Sequence, residues 1–332
     1  MRSAPSAAHR RRRTGVLVAV AIVLAAGIYV SVGAGRSSSR APAAAGTTVA
    51  RSSPAGTPAR VQPSVPPPPP VPRLVVAPPR HTTAGWRVAA LVHGVPAAWI
   101  AERSGVTLMR FDQSLVHLTL HAGSNDGGTV GWRYGDSVTR SEIHLLVAAF
   151  NGGFKLTYGN VGFVSGGHVA APLASGRGSI VTYTDGTTAI GAWNAGVPSS
   201  LKTVYSVLQN QNLLVDRGTV AGTATSCILS CFGATIGDHT VVARSGLGIS
   251  QDGQLIWAAG TELTPAGLGR ALVAAGAVRA VELDINPFWV AGYLYPHHPG
   301  GPTPVPVIPG QHGVAGEFLE ANTRDFFTIV AN

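Results

Sequence analysis

Alternating apolar and polar positions predict a series of short strands that begins near Gly85. Two Asp-Gly pairs, Asp185-Gly186 and Asp252-Gly253, are each flanked by such segments, and this pattern predicts tight hairpins. Further segments rich in β-branched and apolar residues predict additional strands. These segments are WRVAALVHGV (86–95), LVHLTLHAG (115–123), LLVDRGTVAG (213–222) and RDFFTIVAN (324–332).

Helical patterns are fewer. Thr264-Pro265 offers an N-cap followed by proline, apolar residues then recur at helical spacing over 268–275, and Gly276 suits the end of that helix. SEIHLLVAAF (141–150) is compatible with a helix that runs into a strand, and the Gly/Pro-rich stretch 292–313 predicts a long irregular loop. These patterns together predict an α+β fold, a single strand-rich domain with mixed or antiparallel sheets and few helices.

The segment VRAVELDINPFWV (278–290) combines a predicted strand with acidic residues. Glu282 and Asp284 are two positions apart, so we expect them on one face of the strand, with Val281 and Leu283 on the other face. Burying two carboxylates side by side is costly, which favours a functional site. The alternative is an edge strand whose outer face is exposed to water.

The N-terminal quarter has a different character from the rest of the chain. We predict a basic cytoplasmic tail over 1–14, a transmembrane signal-anchor over 15–34, a Pro/Ala/Ser-rich disordered linker over 35–80 and a folded domain over 81–332. The twenty uncharged residues of 15–34 are enough to cross a bilayer as a helix, and a cleaved signal peptide is the alternative. Both interpretations place the folded domain outside the cytoplasm.

The net charge of +9 belongs to this N-terminal quarter. Residues 1–80 contain eleven Arg and no acidic residue, which leaves 13 basic against 15 acidic residues in 81–332. A near-neutral domain lacks the basic surface of a nucleic-acid-binding protein, so we expect no nucleic-acid partner. The membrane, through residues 15–34, is an expected partner instead.

The two cysteines, Cys227 and Cys231, occur in the segment SCILSC. Outside the cytoplasm such a pair usually forms a disulfide, and we predict one here. A zinc site needs two more ligands than this segment supplies. Adjacent histidines in a Gly/Pro loop, such as His297-His298, are seldom ligands, so we predict no metal and no cofactor.

Two further segments contain candidate site residues. AAFNGGFKL predicts a strand that ends at Asn151, and the paired Gly152 and Gly153 suit either an anion-binding nest of N–H groups or an ordinary turn. Arg244 lies in an apolar, strand-like run, so we expect it to point at a partner. That partner is either a phosphate or Asp284 in an ion pair.

These motifs together resemble the phosphodiester glycosidase domain, a family that includes the mannose-6-phosphate uncovering enzyme. The resemblance covers about residues 85–332. It rests on the order of the motifs, which are NGGF (151–154), the Asp-Gly hairpins, LLVDRG (213–218), ARSGLGISQDGQL (243–255) and a Gly-ended helix leading to ELD (282–284). The family commonly follows its aspartate with glycines and serine, whereas this chain continues INPFW.

The resemblance implies a hydrolase that cleaves a glycosidic bond whose leaving group is a phosphate. Asp284, Glu282, Arg244 and Asn151 are then the expected catalytic residues, and Gly152 and Gly153 the expected phosphate donors. Asn286 and Trp289, in the INPFW segment, are expected to form a platform for the sugar. The pattern leaves retaining and inverting chemistry open.

The expected activity is thus that of a membrane-anchored extracytoplasmic glycosidase acting on a sugar-1-phosphodiester of the cell envelope. The alternative is a non-catalytic module on the same fold that binds a cell-wall glycan. The expected partner is in either case a sugar phosphate or a glycan.

Overall fold

The computed structural model describes residues 85–127, 130–158, 161–313 and 315–332. The predicted tail, signal-anchor and linker therefore lie outside the described residues. Among the helices that are described, none has the length and apolar character needed to cross a bilayer.

An eight-stranded antiparallel sheet contains the first and longest strands. It places the predicted segment 278–290 near its middle, because the strand Ala277–Glu282 pairs with neighbours on both sides. The alternative of an edge strand is therefore wrong. In spatial order the strands are β1 (Arg87–Val92), β2 (Val95–Arg103), β3 (Val106–Phe111), β14 (Leu255–Leu263), β13 (Val242–Ser250), β15 (Ala277–Glu282), β11 (Leu213–Asp216) and β12 (Thr219–Val220).

Two five-stranded sheets complete the strand framework, and a small hairpin accompanies them. One sheet has the order β7 (His168–Ala171), β6 (Phe163–Ser165), β10 (Val204–Gln209), β8 (Gly178–Tyr183) and β9 (Thr188–Ala192). The other has the order β19 (Val305–Pro306), β16 (Gly292–Leu294), β5 (Leu146–Asn151), β20 (Phe326–Ala331) and β4 (Val116–His121). The hairpin joins β17 (His297–His298) and β18 (Gly301–Pro302).

The hairpin predictions are confirmed. β8 and β9 pair around Asp185-Gly186, β13 and β14 pair around Asp252-Gly253, and both glycines have positive φ angles of 84° and 82°. The four further segments predicted as strands supply β1, β4, β11 with β12, and β20. The described part of the chain is thus strand-rich with antiparallel sheets and few helices, as predicted.

The main helix is α3 (Pro265–Ala274), and its boundaries follow the predicted signals. The Thr264 hydroxyl accepts a hydrogen bond from the Gly267 N–H at 3.0 Å, and Gly276 follows with a φ of 104°. The remaining helices are short. They are α1 (Thr223–Ser226), α2 (Ile228–Phe232) and the 3-10 turns Leu156–Tyr158 and Ala315–Phe318.

Two predictions about irregular segments are wrong. Residues 141–145 form hydrogen-bonded turns instead of a helix, because Glu142 accepts from the Thr139 backbone and side chain and so ties the chain into a tight turn. The stretch 292–313 contains β16 to β19. Gly292 is required there, since a Cβ at this position would overlap the ring of Trp257.

The main hydrophobic core lies between the three larger sheets, and all of them contribute to it. Phe150 of β5 packs on Trp257 of β14, with ring centroids 5.6 Å apart, and on Phe327 of β20, at 5.8 Å. Other members are Met109, Leu247, Phe163, Ile180, Leu208, Val147 and Ile329. This packing brings the end of β5 beside the start of β20, where Asn151 and Phe326 are paired.

Candidate active site

Arg324 lies just before β20 and is surrounded by three aspartates. Its Nε is 2.5 Å from Oδ2 of Asp126, and its Nη2 is 3.2 Å from Oδ2 of Asp284 and 3.9 Å from Oδ1 of Asp325. Nη2 also donates to the carbonyl of Gly153 at 2.7 Å. One guanidinium therefore joins three segments that are far apart in sequence.

Asp325 attaches this cluster to the Asn-Gly-Gly turn. Its Oδ2 accepts the Gly153 N–H at 2.8 Å, and its backbone carbonyl accepts the Gly152 N–H at 3.0 Å. A Cβ on Gly152 would overlap the Asp325 carboxyl, so only glycine fits here. Burial raises the pKa of Asp325 to about 7, while Arg324 acts in the opposite direction.

Asp284 follows the end of β15 and is held by its own turn. Its Oδ1 accepts the N–H groups of Ile285 at 2.7 Å and Asn286 at 2.9 Å, which leaves Oδ2 directed toward Arg324. Burial is the largest effect on this carboxyl and raises its pKa, whereas Arg324 and the two backbone donors lower it. Asp284 is thus both rigidly oriented and more basic than an exposed aspartate.

A cavity of about 820 Å³ opens onto this cluster. Asp284 and Arg324 line it, and they are the most buried charged groups of its lining. Among the described lining residues, Lys155 also carries a permanent positive charge. The remaining wall contains many apolar side chains, among them Phe154, Tyr158, Leu229, Ile236, Val242, Ile285 and Phe288.

Arg244 occupies a separate, dry position on β13. Its Nη1 lies 2.9 Å and 3.1 Å from the two carboxylate oxygens of Glu282, and both side chains are 0% exposed. Its remaining donors bind the carbonyls of Leu263, Phe232 and Thr240. Burial raises the pKa of Glu282, and Arg244 opposes that rise.

The expected roles of Arg244 and Glu282 therefore need correction. Arg244 contacts neither Asp284 nor open space, because Glu282 and three backbone carbonyls use its donors. Neither side chain lines the cavity. The pair instead joins β13 to β15 beneath the turn that carries Asp284.

The Asn-Gly-Gly segment also has a different role from the expected one. Asn151 donates to the Gly152 carbonyl and to Ser245 Oγ, both at 2.9 Å, and it accepts from Ala291 N–H at 3.3 Å. The N–H groups of Gly152 and Gly153 are bound to Asp325. These three residues therefore position Asp325, and the two amides are not free to hold an anion.

The expected sugar platform is only partly placed at the cavity. Asn286 lines it, but Trp289 is not among the lining residues. The Trp289 ring instead lies against the Arg324 guanidinium, 5.5 Å from centroid to carbon, in a cation–π contact. The aromatic side chain of the INPFW segment that lines the cavity is Phe288, and Asn286 Oδ1 fixes its backbone by accepting the Phe288 N–H at 3.0 Å.

The predicted disulfide is present, with Cys227 and Cys231 joined at an S–S distance of 2.05 Å. It ties the residue before α2 to a residue within it. Leu229 of α2 lines the cavity, and the following segment adds further lining residues up to His239. The disulfide thus fixes one wall of the cavity.

The sequence pattern missed Arg324, Asp325 and Asp126. One signal for the first two is the pair Arg324-Asp325 directly before an apolar strand, because charged residues at a strand start often lie at a sheet end beside other loops. Asp126 lies in a loop and gave no such signal. In the described part of the chain no group of three or more His, Cys, Asp or Glu side chains is arranged to hold a metal ion.

No protein-family model and no curated protein matches this sequence. Among solved structures, the zebrafish N-acetylglucosamine-1-phosphodiester alpha-N-acetylglucosaminidase catalytic domain, auto-inhibited by its pro-peptide, aligns with a TM-score of 0.44 and 16% identity, over 70% of this chain and 78% of that chain. A hypothetical protein from Synechocystis aligns with a TM-score of 0.42 and 12% identity, over 72% and 63%.

A putative exported protein from Burkholderia pseudomallei aligns with a TM-score of 0.35 and 11% identity, over 71% of this chain and 75% of that chain. All three TM-scores are below 0.5. The site of this chain is therefore interpreted from its own geometry.

Proposed function

We propose that this protein is a hydrolase that cleaves the glycosidic bond of a sugar-1-phosphodiester. The observation that carries the proposal is the contact between Asp284 and Arg324 at the most buried part of the cavity. It places a basic carboxylate beside a cation. A base is needed for the attack on an anomeric carbon, and a cation is needed for the departure of a phosphate. The order of the sequence motifs supports the same reaction class.

The charges of the cavity suit an anionic substrate. Lys155 and Arg324 supply two positive charges to its lining, whereas Asp284 is the one carboxylate among the described lining residues. A phosphodiester carries a single negative charge. Asp325, whose pKa burial raises to about 7, is partly protonated at neutral pH and then leaves more of the Arg324 charge available to the phosphate.

In the proposed reaction Asp284 takes a proton from a water molecule as the water oxygen bonds to the anomeric carbon. The bond between that carbon and the bridging oxygen breaks, and the oxygen leaves with both bonding electrons as part of a phosphate monoester dianion. Arg324 stabilises the charge that develops on the leaving group. Because a phosphate monoester is a good leaving group, the reaction does not require a strong general acid.

The remaining site residues support this arrangement. Arg244 with Glu282, and Asn151 with Gly152 and Gly153, hold the turns that carry Asp284 and Asp325. Asn286 and Phe288 contact the substrate. Residues 15–34 and the disulfide support an extracytoplasmic, membrane-anchored location, where envelope sugar phosphates are the available substrates.

A glycan-binding module without catalysis is the second candidate. It is favoured by the saturation of Asp284, whose Oδ1 accepts two N–H groups and whose Oδ2 contacts Arg324. The exposed aromatic face of Phe288 suits sugar stacking in such a module.

The test uses the full-length chain with a panel of sugar-1-phosphodiesters, including N-acetylglucosamine-1-phosphate esters, and measures released sugar. Asp284→Asn keeps the shape of the side chain and is expected to lower kcat by about 10²–10⁴-fold. The matched control is Asp216→Asn, at a half-exposed aspartate on β11 outside the cavity. Full activity of Asp284→Asn contradicts the catalytic role, and glycan binding without release across the panel supports the second candidate.

A further inference from the structure

The mouth of the cavity is apolar, unlike its base. Tyr158, Ile236 and Phe288 line it, and they are 71%, 98% and 63% exposed. Nine large hydrophobic side chains are exposed in the described part of the chain, and these three include both aromatic ones. Clustered exposure of this kind marks a binding surface, whereas single exposed apolar residues need no explanation.

The three side chains come from three separate segments. Tyr158 ends the 3-10 turn Leu156–Tyr158, Ile236 lies four residues after α2, and Phe288 lies in the turn after β15. The Phe288 ring packs against His312, with centroids 4.8 Å apart, and the disulfide fixes the start of the segment that carries Ile236. Their convergence is therefore a product of the tertiary fold and not of one apolar stretch of sequence.

Lys155 is half-buried, so its exposure lies between that of the apolar mouth and that of the buried Asp284 and Arg324. The Lys155 ammonium is 5.7 Å from the centroid of the Tyr158 ring, so a cation borders the apolar surface. Further in, Arg324 contacts Asp284. From the base outward, the lining changes from a carboxylate–guanidinium pair, through an ammonium group, to exposed apolar side chains.

This order matches an amphiphile. We propose that the substrate's phosphate carries a long hydrocarbon chain, which lies across Tyr158, Ile236 and Phe288 while the sugar occupies the base of the cavity. The inference rests on the proposed function and narrows its substrate class to lipid-linked sugar phosphates. A polysaccharide or peptide alcohol on the phosphate would instead need hydrogen-bonding groups at the mouth, where the structure has apolar ones.

The volume of the cavity is consistent with a sugar at its base and a hydrocarbon chain at its mouth. Small-molecule cavities commonly measure about 300–1,000 Å³ and bury most of a drug-sized ligand. At about 820 Å³ the cavity accommodates a sugar, a phosphate and the first part of a chain. The exposed side chains at the mouth then cover the chain where it leaves the cavity.

The test measures binding and not turnover, so it does not depend on catalysis. Butyl phosphate and octyl phosphate are titrated against the full-length chain in one mild detergent, and the ratio of their affinities is determined for each variant. Partition into detergent lowers free octyl phosphate equally for all variants. The double variant Ile236→Ser/Phe288→Ser removes two of the three apolar side chains of the mouth, and Leu201→Ser changes a comparably exposed residue, 93% exposed, that does not line the cavity.

The ratio of octyl phosphate affinity to butyl phosphate affinity is expected to be at least about tenfold higher in the wild type than in the double variant. Each methylene kept from water raises the affinity roughly two- to fourfold. Leu201→Ser is expected to keep the wild-type ratio. Equal ratios in wild type and double variant overturn the proposal and favour a protein or a bilayer surface at the mouth. No binding of either ester also overturns it.

The two proposals fail in different ways. A chain-length-dependent ratio with no sugar release in the panel means that the mouth binds hydrocarbon but the site does not hydrolyse the glycosidic bond. Release of sugar from short esters with equal ratios means that the hydrolase proposal holds and the lipid-linked substrate does not.

Discussion

The two buried arginines in the described part of the chain differ in what surrounds their charge. Arg244 faces one carboxylate, Glu282, and backbone carbonyls, and both side chains are shut away from water. Arg324 faces three carboxylates and borders a cavity. An arginine whose donors are saturated in a dry interior holds strands together, whereas an arginine that borders a cavity is open to a ligand.

The same comparison explains why burial alone does not identify a site. Glu282 and Asp284 are both buried, and burial raises the pKa of both. Only Asp284 lines the cavity. The two carboxylates therefore differ in their access to a ligand, although the pKa of each is raised.

The largest expected effect is on stability, at Arg244. Arg244→Met removes the partner of a fully buried Glu282, and breaking such a pair costs about 3–5 kcal/mol of the free energy of unfolding. The measurement is a urea denaturation curve. Arg244→Met/Glu282→Leu is expected to recover most of the loss, because no unpaired charge then remains.

A stable Arg244→Met single variant would show that this pair is not the strand connector described above. Arg244 would then have no structural role that distinguishes it from Arg324.

The second effect is a dependence of stability on pH, which arises at Asp325 beside Arg324. The pKa of Asp325 rises from an ordinary 3.8 to about 7 in the folded protein, so the folded state keeps a proton that the unfolded chain releases between these values. The free energy of unfolding is therefore expected to fall as pH rises from about 4 to about 7, by no more than about 4 kcal/mol at this residue.

Denaturation curves at half-unit pH steps measure this slope. Asp325→Asn is expected to flatten it, with a remainder from Asp284 and Glu282, whose pKa values burial also raises. Glu142 acts in a different window. Its pKa is lowered to about 2, so its contribution is lost below about pH 4.5. Stability that rises from pH 4 to 7 contradicts the protonation assigned to Asp325.

The third effect is on activity, at Arg324. Arg324→Met removes the guanidinium that we propose faces the leaving phosphate, and the loss of one such electrostatic group typically lowers kcat by about 10²–10³-fold. Arg324→Met also removes the cation beside Asp126, Asp284 and Asp325, so a loss of stability is expected as well, and sugar release is compared per folded molecule. Sugar release and urea curves for both variants measure the two quantities side by side.

Equal activity losses per folded molecule in the two variants would contradict the structural role assigned to Arg244 and the catalytic role proposed for Arg324.

Local patterns predicted most of the framework. The Asp-Gly turns and the Thr264-Pro265 helix start are confirmed because their signals lie within a few residues of one another. Of the helix running into a strand that was predicted over 141–150, the strand is present as β5, but the helix is not, because the Glu142 side chain bonds to Thr139 and favours a turn. Apolar spacing does not detect such a competing side-chain contact.

The site was predicted less well, for a geometric reason. The pattern indicated that Arg244 points at a partner, but the choice between Glu282 and Asp284 depends on strand register, which sets Gly246 opposite Glu282. Asp284 was identified, and its true neighbour Arg324 was not. Arg324 contacts Asp126 across 198 positions of sequence, and only the assembled sheets bring the two together.

The position of β20 has a consequence for synthesis. This strand pairs with β4 on one side and β5 on the other, and Arg324 and Asp325 immediately precede it. A ribosome completes β4 and β5 some 170 residues or more before it adds Arg324 and Asp325. β4 and β5 cannot complete their pairing until β20 is made, and a product released before residue 324 lacks both Arg324 and Asp325. Premature release therefore yields fragments without the ion pairs that surround Arg324.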